Sequence, residues 1–374
     1  MSSRVALSEP YLAGNERRYL NECVDTNFVS SVGPFVDRFE REFASFVGAR
    51  YAVACSTGTA ALHVAFRLID LQPGDEVLVP SLTFIASANA IAYERGAPVF
   101  VDSELESWNM DPDLVVDYIE GAARAGRKLP RAVELVHILG HPARIEPIIA
   151  VCEKHGVALI EDAAEALGAR YRGGRFDGKH VGTIGRLGCF SFNGNKIMTT
   201  GGGGMITTDD PDLAKRAKHL TTQARLPGPA YQHDEVGYNY RLTNVAAALG
   251  VAQLEQLPDF IAKKQRIAAR YDEAFGRRDD VVVPPRTAWA VPTHWLYTIR
   301  VGNARDEHMR RLAADRIESR PIWTPLHTMP MWRDAARIGG ERAEQLAAQA
   351  LSIPCSVGLT DADQDRVIAH FAQR

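Results

Sequence analysis

At 374 residues the chain exceeds what one hydrophobic core organises, and a usual domain size of about 150 residues predicts two or three domains. A composition of 46% hydrophobic and 24% charged residues excludes a disordered, collagen-like or acid-rich solvating chain. With 43 Lys plus Arg against 46 Asp plus Glu, the net charge of −3 excludes a protein devoted to nucleic acid, so any anionic ligand must be met by local groups.

Taken in chain order, the first elements are a segment over residues 9–46 with a helix at about 14–24, expected to pack on a larger domain. Met1-Ser2-Ser3-Arg4-Val5 lacks the basic start and apolar run of a signal peptide, and charged residues or glycine interrupt every apolar stretch before a bilayer could be spanned. From 51 to about 208, apolar runs at 51–55, 76–80, 99–101, 131–138, 157–160, 188–192 and 204–207 alternate with helical patterns. That is the signature of a seven-stranded, mostly parallel sheet covered by helices. Asp111-Pro112 and Asp210-Pro211 read as cap-then-proline helix starts, and Gly156 closes a helix over 145–155. Beyond the N-cap Thr243 a helix runs to 256, is expected to break at Pro258, and resumes to about Phe275. Proline-punctuated segments follow, with a strand at 295–301 and helices at 305–316, 342–350 and 361–374. The expected division is 1–256 for the large domain with its N-terminal segment, and 257–374 for a connecting helix and a small α+β domain.

Three constellations could carry chemistry. Ser56-Thr57-Gly58-Thr59-Ala60-Ala61-Leu62 follows a strand and opens a helix, where unpaired N–H groups and hydroxyls suit phosphate; a plain small-residue N-cap is the alternative. Glu161-Asp162-Ala163-Ala164-Glu165 puts acids at the carboxyl end of a buried strand, where a carboxylate can meet a cationic ring nitrogen or merely cap the next helix. Ser191-Phe192-Asn193-Gly194-Asn195-Lys196 sets a lysine just past a strand, able to form a Schiff base or to remain a solvated loop residue. The glycines at 201–204 are no P-loop, because Lys196 precedes them and the Gly-Lys-Ser/Thr order is absent. Neither a metal pair from His137 and His141, which Gly140 and Pro142 separate from any common helix, nor a dinucleotide Gly-x-Gly-x-x-Gly turn is present. Cys23, Cys55, Cys152, Cys189 and Cys355 lack metal or redox spacing and read as reduced thiols of a cytoplasmic protein.

A phosphate cradle, an acid at a strand end and, 34 positions after Asp162, a lysine are together what a pyridoxal phosphate site requires. These motifs, with Pro80-Ser81-Leu82-Thr83-Phe84-Ile85-Ala86 and Gly237-Tyr238-Asn239-Tyr240-Arg241, resemble the DegT/DnrJ/StrS sugar aminotransferases, pyridoxal 5′-phosphate enzymes of fold type I. The resemblance runs from about Val5 to the last helix. It implies that Lys196 binds the cofactor and shuttles the proton, and that Asp162 pairs with the pyridine nitrogen. Phe84 would stack on the ring and Glu165 lie near its other side. Thr59, Ala60 and Ser191 would hold the phosphate, with Gly58 allowing close approach. Asn239 would reach the phosphate of the neighbouring subunit of a homodimer. Many members carry Gln or His where this chain has Glu165, and a sugar-dehydrating branch carries His at the position of Lys196, so dehydration is disfavoured. A non-catalytic cofactor-binding regulator is disfavoured by the complete site.

Glu106-Ser107-Trp108-Asn109-Met110-Asp111-Pro112, Glu318-Ser319-Arg320-Pro321-Ile322-Trp323-Thr324-Pro325-Leu326-His327 and the lysine loop look like the branch acting on UDP-4-keto-6-deoxy-N-acetylglucosamine. The lysine loop also resembles perosamine synthases, so GDP- and dTDP-linked ketosugars stand as alternatives. Arg241, Arg320 and His327 are the expected partners of the nucleotide diphosphate, and L-glutamate is the expected amino donor.

Overall fold

Apolar runs become strands wherever helices cover both of their faces, and the computed structural model, which describes residues 3–372, shows this for most of the chain. Its strands are β1 Tyr51–Cys55, β2 Glu76–Pro80, β3 Ala97–Val101, β4 Ala132–Val136, β5 Ala158–Asp162, β6 Arg170–Tyr171, β7 Leu187–Ser191, β8 Gly204–Thr208, β9 Ala290–Val291, β10 Tyr297–Arg300, β11 Arg320–Pro321, β12 Arg337–Ile338 and β13 Ala350–Ile353. Its helices are α1 Glu16–Asp25, α2 Pro34–Val47, α3 Gly58–Leu68, α4 Ala86–Tyr93, α5 Pro112–Arg124, α6 Ile145–His155, α7 Pro211–Thr221, α8 Asn244–Phe275, α9 Arg305–Ala314, α10 Glu341–Gln349 and α11 Asp361–Ala372. The last two residues of the expected C-terminal helix lie outside the described residues.

The large sheet has the order β1-β8-β7-β5-β4-β2-β3-β12, and only β8 runs against the others. The seven expected strands are all there. The two-residue β12, from the C-terminal part of the chain, adds an eighth at the edge beside β3. The helix starts follow local chemistry. Thr57, Asp111, Asp210 and Thr243 each accept a hydrogen bond from a first-turn N–H, and Pro112 and Pro211 occupy positions whose N–H would be unpaired anyway. Gly48 and Gly156 close α2 and α6 in the left-handed conformation.

One face of the sheet packs against α2 and α8 through an aromatic cluster of Phe39, Phe43, Phe190 and Phe192, with ring centroids 5.0–6.0 Å apart. The other face packs against α3, α4 and α7. A further core gathers around the three-stranded antiparallel sheet β10-β13-β11, joined by the far half of α8 with α9 and α11. The strand β13 was not anticipated, because the expected helix ended at Ala350, where the strand begins.

One expectation needs correction. α8 does not break at Pro258 but runs unbroken for 32 residues. A proline inside a helix removes one hydrogen bond, yet Pro258 sits on the exposed face while Leu254, Leu257 and Phe260 stay buried, so packing on both sides carries the helix through. Within the segment 9–46, α1 packs on α8 and α2 on α8 and β1; ahead of it Val5 bridges Ile317, Glu318 N donates to Val5 O at 2.9 Å and Cys355 N to Leu7 O at 3.0 Å, which ties residues 5–7 to the C-terminal core. Among the described residues no helix is long and apolar enough to cross a membrane. All five cysteines are buried and unpaired.

Candidate active site

The carboxyl ends of β1, β2, β5 and β7 open on one cavity of about 540 Å³, whose remaining wall comes from Trp295, Arg320, Ile322, Trp323 and Met329. On one side the start of α3 faces it. Thr57 Oγ1 takes the N–H of Ala60 at 3.0 Å, which leaves the N–H groups of Gly58 and Thr59 without a protein partner among the described residues. Thr59 and Ser191 line the cavity beside them. Gly58 is required sterically: a Cβ there would lie 2.7 Å from Ser191 Cβ. Ala60, expected in the phosphate cradle, gives its N–H to Thr57 Oγ1 and does not line the cavity.

At the end of β5 the two adjacent acids diverge, as strand alternation demands. Asp162 faces the cavity, with Oδ1 accepting from Ala164 N at 3.0 Å and Oδ2 from Ser87 Oγ at 3.1 Å. Glu161 points away and accepts from the N–H groups of Gly182, Ile184 and Gly185 at 2.7–2.8 Å and pairs with His137 Nε2 at 3.0 Å. Burial raises the Asp162 carboxyl, opposed by the Ala164 N–H and the Lys196 charge. Glu165 lies in the cavity wall with Oε2 accepting from Leu139 N at 2.7 Å; burial lifts it to about 6, against the pull of Lys196.

Lys196 follows β7 and lies recessed in the cavity, its Nζ 3.8 Å from the centroid of the Trp295 ring. Desolvation lowers its pKa while Glu165 and Asp162 resist, so its neutral, nucleophilic form is brought closer to physiological pH. Trp295 is held by Nε1 donating to Asn195 O at 2.6 Å and meets Trp323 edge-on at 5.9 Å. Phe84 is 58% exposed on the cavity wall, which is unlike a core phenylalanine. Arg320 lies 5.2 Å over the Trp323 ring and close enough to Lys196 and Glu165 to influence both.

Three expected residues lie off this wall. Asn239 is exposed on the segment whose Tyr240 O accepts from Ser56 N, and it does not line the cavity of its own chain. Arg241 bridges Cys55 through its backbone, and its buried Nε has no hydrogen-bond partner among the described residues. His327 is the third. It is buried behind the wall with Nδ1 on Ser81 Oγ and Nε2 on Glu344 Oε1, so neither nitrogen is free for a ligand. Sequence reasoning missed Trp295 and Ser87, which carry no local signal because they reach the site from other parts of the fold.

The chain matches the DegT/DnrJ/EryC1/StrS aminotransferase family over residues 10–372. It is 42% identical to a GDP-perosamine synthase of Caulobacter vibrioides, covering 99% of this chain and 98% of that one. To a GDP-perosamine synthase of Escherichia coli O157:H7 it is 39% identical over 96% of this chain and 94% of that one. The crystal structure of a DegT DnrJ EryC1 StrS aminotransferase from Brucella abortus is similar with a TM-score of 0.89 at 30% identity, covering 96% of this chain and 94% of that one.

Proposed function

Because the chain belongs to the DegT/DnrJ/EryC1/StrS aminotransferase family and is a pyridoxal phosphate-dependent sugar aminotransferase, we propose that it moves the amino group of L-glutamate to C4 of a nucleotide-linked 4-keto-6-deoxy sugar. The observation that carries this reading is the convergence of Lys196, Asp162 and the open start of α3 on one cavity. The donor set fits pyridoxal 5′-phosphate. Unpaired N–H groups and two hydroxyls suit a phosphate, a buried carboxylate suits a cationic ring nitrogen, and an amine of lowered pKa suits covalent attachment.

When bound, the cofactor supplies an electron-withdrawing ring that stabilises negative charge at the carbon losing its proton. The chain does the rest. Gly58, Thr59 and Ser191 hold the phosphate, and Asp162, kept in place by Ala164 and Ser87, holds the ring nitrogen protonated. Phe84 packs on one ring face, with Glu165 near the other. Lys196 carries the proton between substrate carbon and cofactor, a role that needs its amine in the neutral form. Asn239, exposed and not lining the cavity of its own chain, supports a homodimer in which it reaches the neighbouring subunit's phosphate. Arg320, on the cavity wall, meets the nucleotide diphosphate, whereas Arg241 lies off that wall.

The two relatives named GDP-perosamine synthases favour a GDP-linked sugar over the UDP-linked N-acetylated sugar suggested by residues 106–112 and 318–327. A panel of GDP-, UDP- and dTDP-4-ketosugars, with glutamate as donor and 2-oxoglutarate as the measured product, decides between them. The expected result is turnover on the GDP sugar. Purified protein should also show a visible cofactor band that glutamate bleaches, and a Lys196→Ala variant that keeps band and turnover would overturn the assignment.

A further inference from the structure

The centre of a parallel sheet covered on both faces is an unusual place for a carboxyl group. β4 lies between β2 and β5, and its middle residue Glu134 is fully buried, with neither carboxyl oxygen in a hydrogen bond among the described residues. Strand alternation puts it on the same face as Val136, and the β4–β5 register pairs Val136 with Asp162 and Glu134 with Ile160. Glu134 therefore stands one diagonal step behind the carboxylate of the cavity. Ser87 of α4 covers the same place, its Oγ 3.1 Å from Asp162 Oδ2 and 3.3 Å from Thr83 Oγ1.

The partners of the two acids are unequal. Asp162 has Ala164 N–H, Ser87 Oγ and the Lys196 charge; Glu134 has no full hydrogen bond. Burial first, and then the Asp162 charge, push the Glu134 carboxyl well above the usual carboxylate range, with the nearby Ser87 hydroxyl opposing. The thiol of Cys189, paired with Asp162 on β7, is pushed up by burial and stays neutral, while Lys196 and His137 act on Asp162. A carboxyl buried beside a carboxylate and given no donor of its own does not ionise readily, so of the two acids the proton rests on Glu134.

We propose that Glu134 is a positioning residue: it remains a neutral acid that stores the single proton of the Glu134–Asp162 pair and, through the Ser87 hydroxyl, keeps Asp162 a carboxylate aimed at the cofactor's ring nitrogen. This rests on the reading of Asp162 given above. Ser87 Oγ gives its own proton to Asp162 Oδ2 and so keeps its lone pairs for the acid O–H, which a small rotation of the unpartnered Glu134 carboxyl brings into reach; the chain of donors then runs one way.

The test uses the full-length holoenzyme. Infrared spectra in H2O and D2O should contain a carboxylic-acid carbonyl band at neutral pH that Glu134→Gln removes. Equilibrium dialysis should show cofactor retention by Glu134→Gln within about twofold of native, and roughly tenfold weaker retention by Glu134→Leu, the scale of one hydrogen bond to a charged group. In a Ser87→Ala background Glu134→Leu should cause no further loss. An absent acid band, a band that persists in Glu134→Gln, or native retention by Glu134→Leu would overturn the proposal, and the infrared result stands even if the leucine variant fails to fold. Failure of the Asp162 reading would appear separately, as native cofactor retention by Asp162→Asn.

Discussion

Gly58→Ala tests the cofactor cradle with a single methyl group. The new Cβ would stand 2.7 Å from Ser191 Cβ, 3.1 Å from its Oγ and 3.3 Å from its Cα. Carbon atoms settle at about 3.5–4.0 Å, so the start of α3 and the end of β7 must separate by roughly 1 Å. Overpacking of this kind costs about 1–3 kcal/mol. The displaced groups are the N–H and hydroxyl donors that line the cavity, so the strain falls on both folding and cofactor retention. Calorimetry should show Tm lowered by a few degrees, and dialysis should show cofactor affinity weakened about tenfold or more. Removing the obstacle separates the two effects. In Gly58→Ala/Ser191→Gly only the contact with the residue 191 Cα persists, so stability should exceed the sum of the single changes by about 1 kcal/mol while affinity stays low for want of the hydroxyl. A Gly58→Ala protein with native Tm and native affinity, or a double variant with strictly additive losses, would refute the steric reasoning.

Other outcomes follow from the same geometry. Glu165 is raised from 4.5 to about 6 in the folded protein, so between those values the folded state binds more protons than the unfolded one and stability falls as pH rises. Glu165→Gln should therefore be more stable than native at pH 7.5 by on the order of 2 kcal/mol, a gap that denaturant titrations should see close below about pH 5. Glu161 has the opposite sign. Burial raises it, but His137 and the backbone N–H groups outweigh that and leave it lowered, so its stabilisation is present at neutral pH and fades on acidification. Glu161→Leu would strand the buried His137 Nε2 and Gly182 N–H and the half-buried N–H groups of Ile184 and Gly185, and should cost roughly 3–5 kcal/mol in urea unfolding. Phe84→Ala, at an exposed position, should change stability by about 0.5 kcal/mol or less yet weaken cofactor retention measurably by dialysis.

Much of the site was legible because its signals are local. Thr57, Asp111, Asp210 and Thr243 announce helices through the same side-chain oxygen that caps them in the fold. Asp162 and Lys196 stand where apolar runs end, and the carboxyl ends of a parallel sheet gather at one edge. What stayed hidden depends on neighbours distant in the chain. His327 meets Ser81, far away in sequence, a contact that no local pattern announces. Glu134 passed as an ordinary member of a strand run, because only the strand order shows that β4 is interior and that no water reaches it. Trp295 gave no sign of its contact with Lys196, since it lies in the bend ahead of β10 and meets that residue only once the two parts of the chain have packed. Pro258 misled for the reverse reason: its local cost is real, and burial on either side overrides it.

The clasp of residues 5–7 on the C-terminal core bears on the order of events during synthesis. Val5 meets Ile317, and Leu7 meets Cys355, so these residues must wait for nearly the whole chain before their partners exist. At about 5–20 residues per second, Val5 remains without Ile317 for on the order of 15–60 s, long enough for the intervening sheet and its helices to close first. Lys196 and Asp162 would thus sit on a finished platform, while the wall bearing Trp295 and Arg320 arrives last and is latched by the oldest segment of the nascent polypeptide. A fusion partner placed ahead of residue 5 would burden that latch, and with it the final step of assembly, without touching any residue of the cavity.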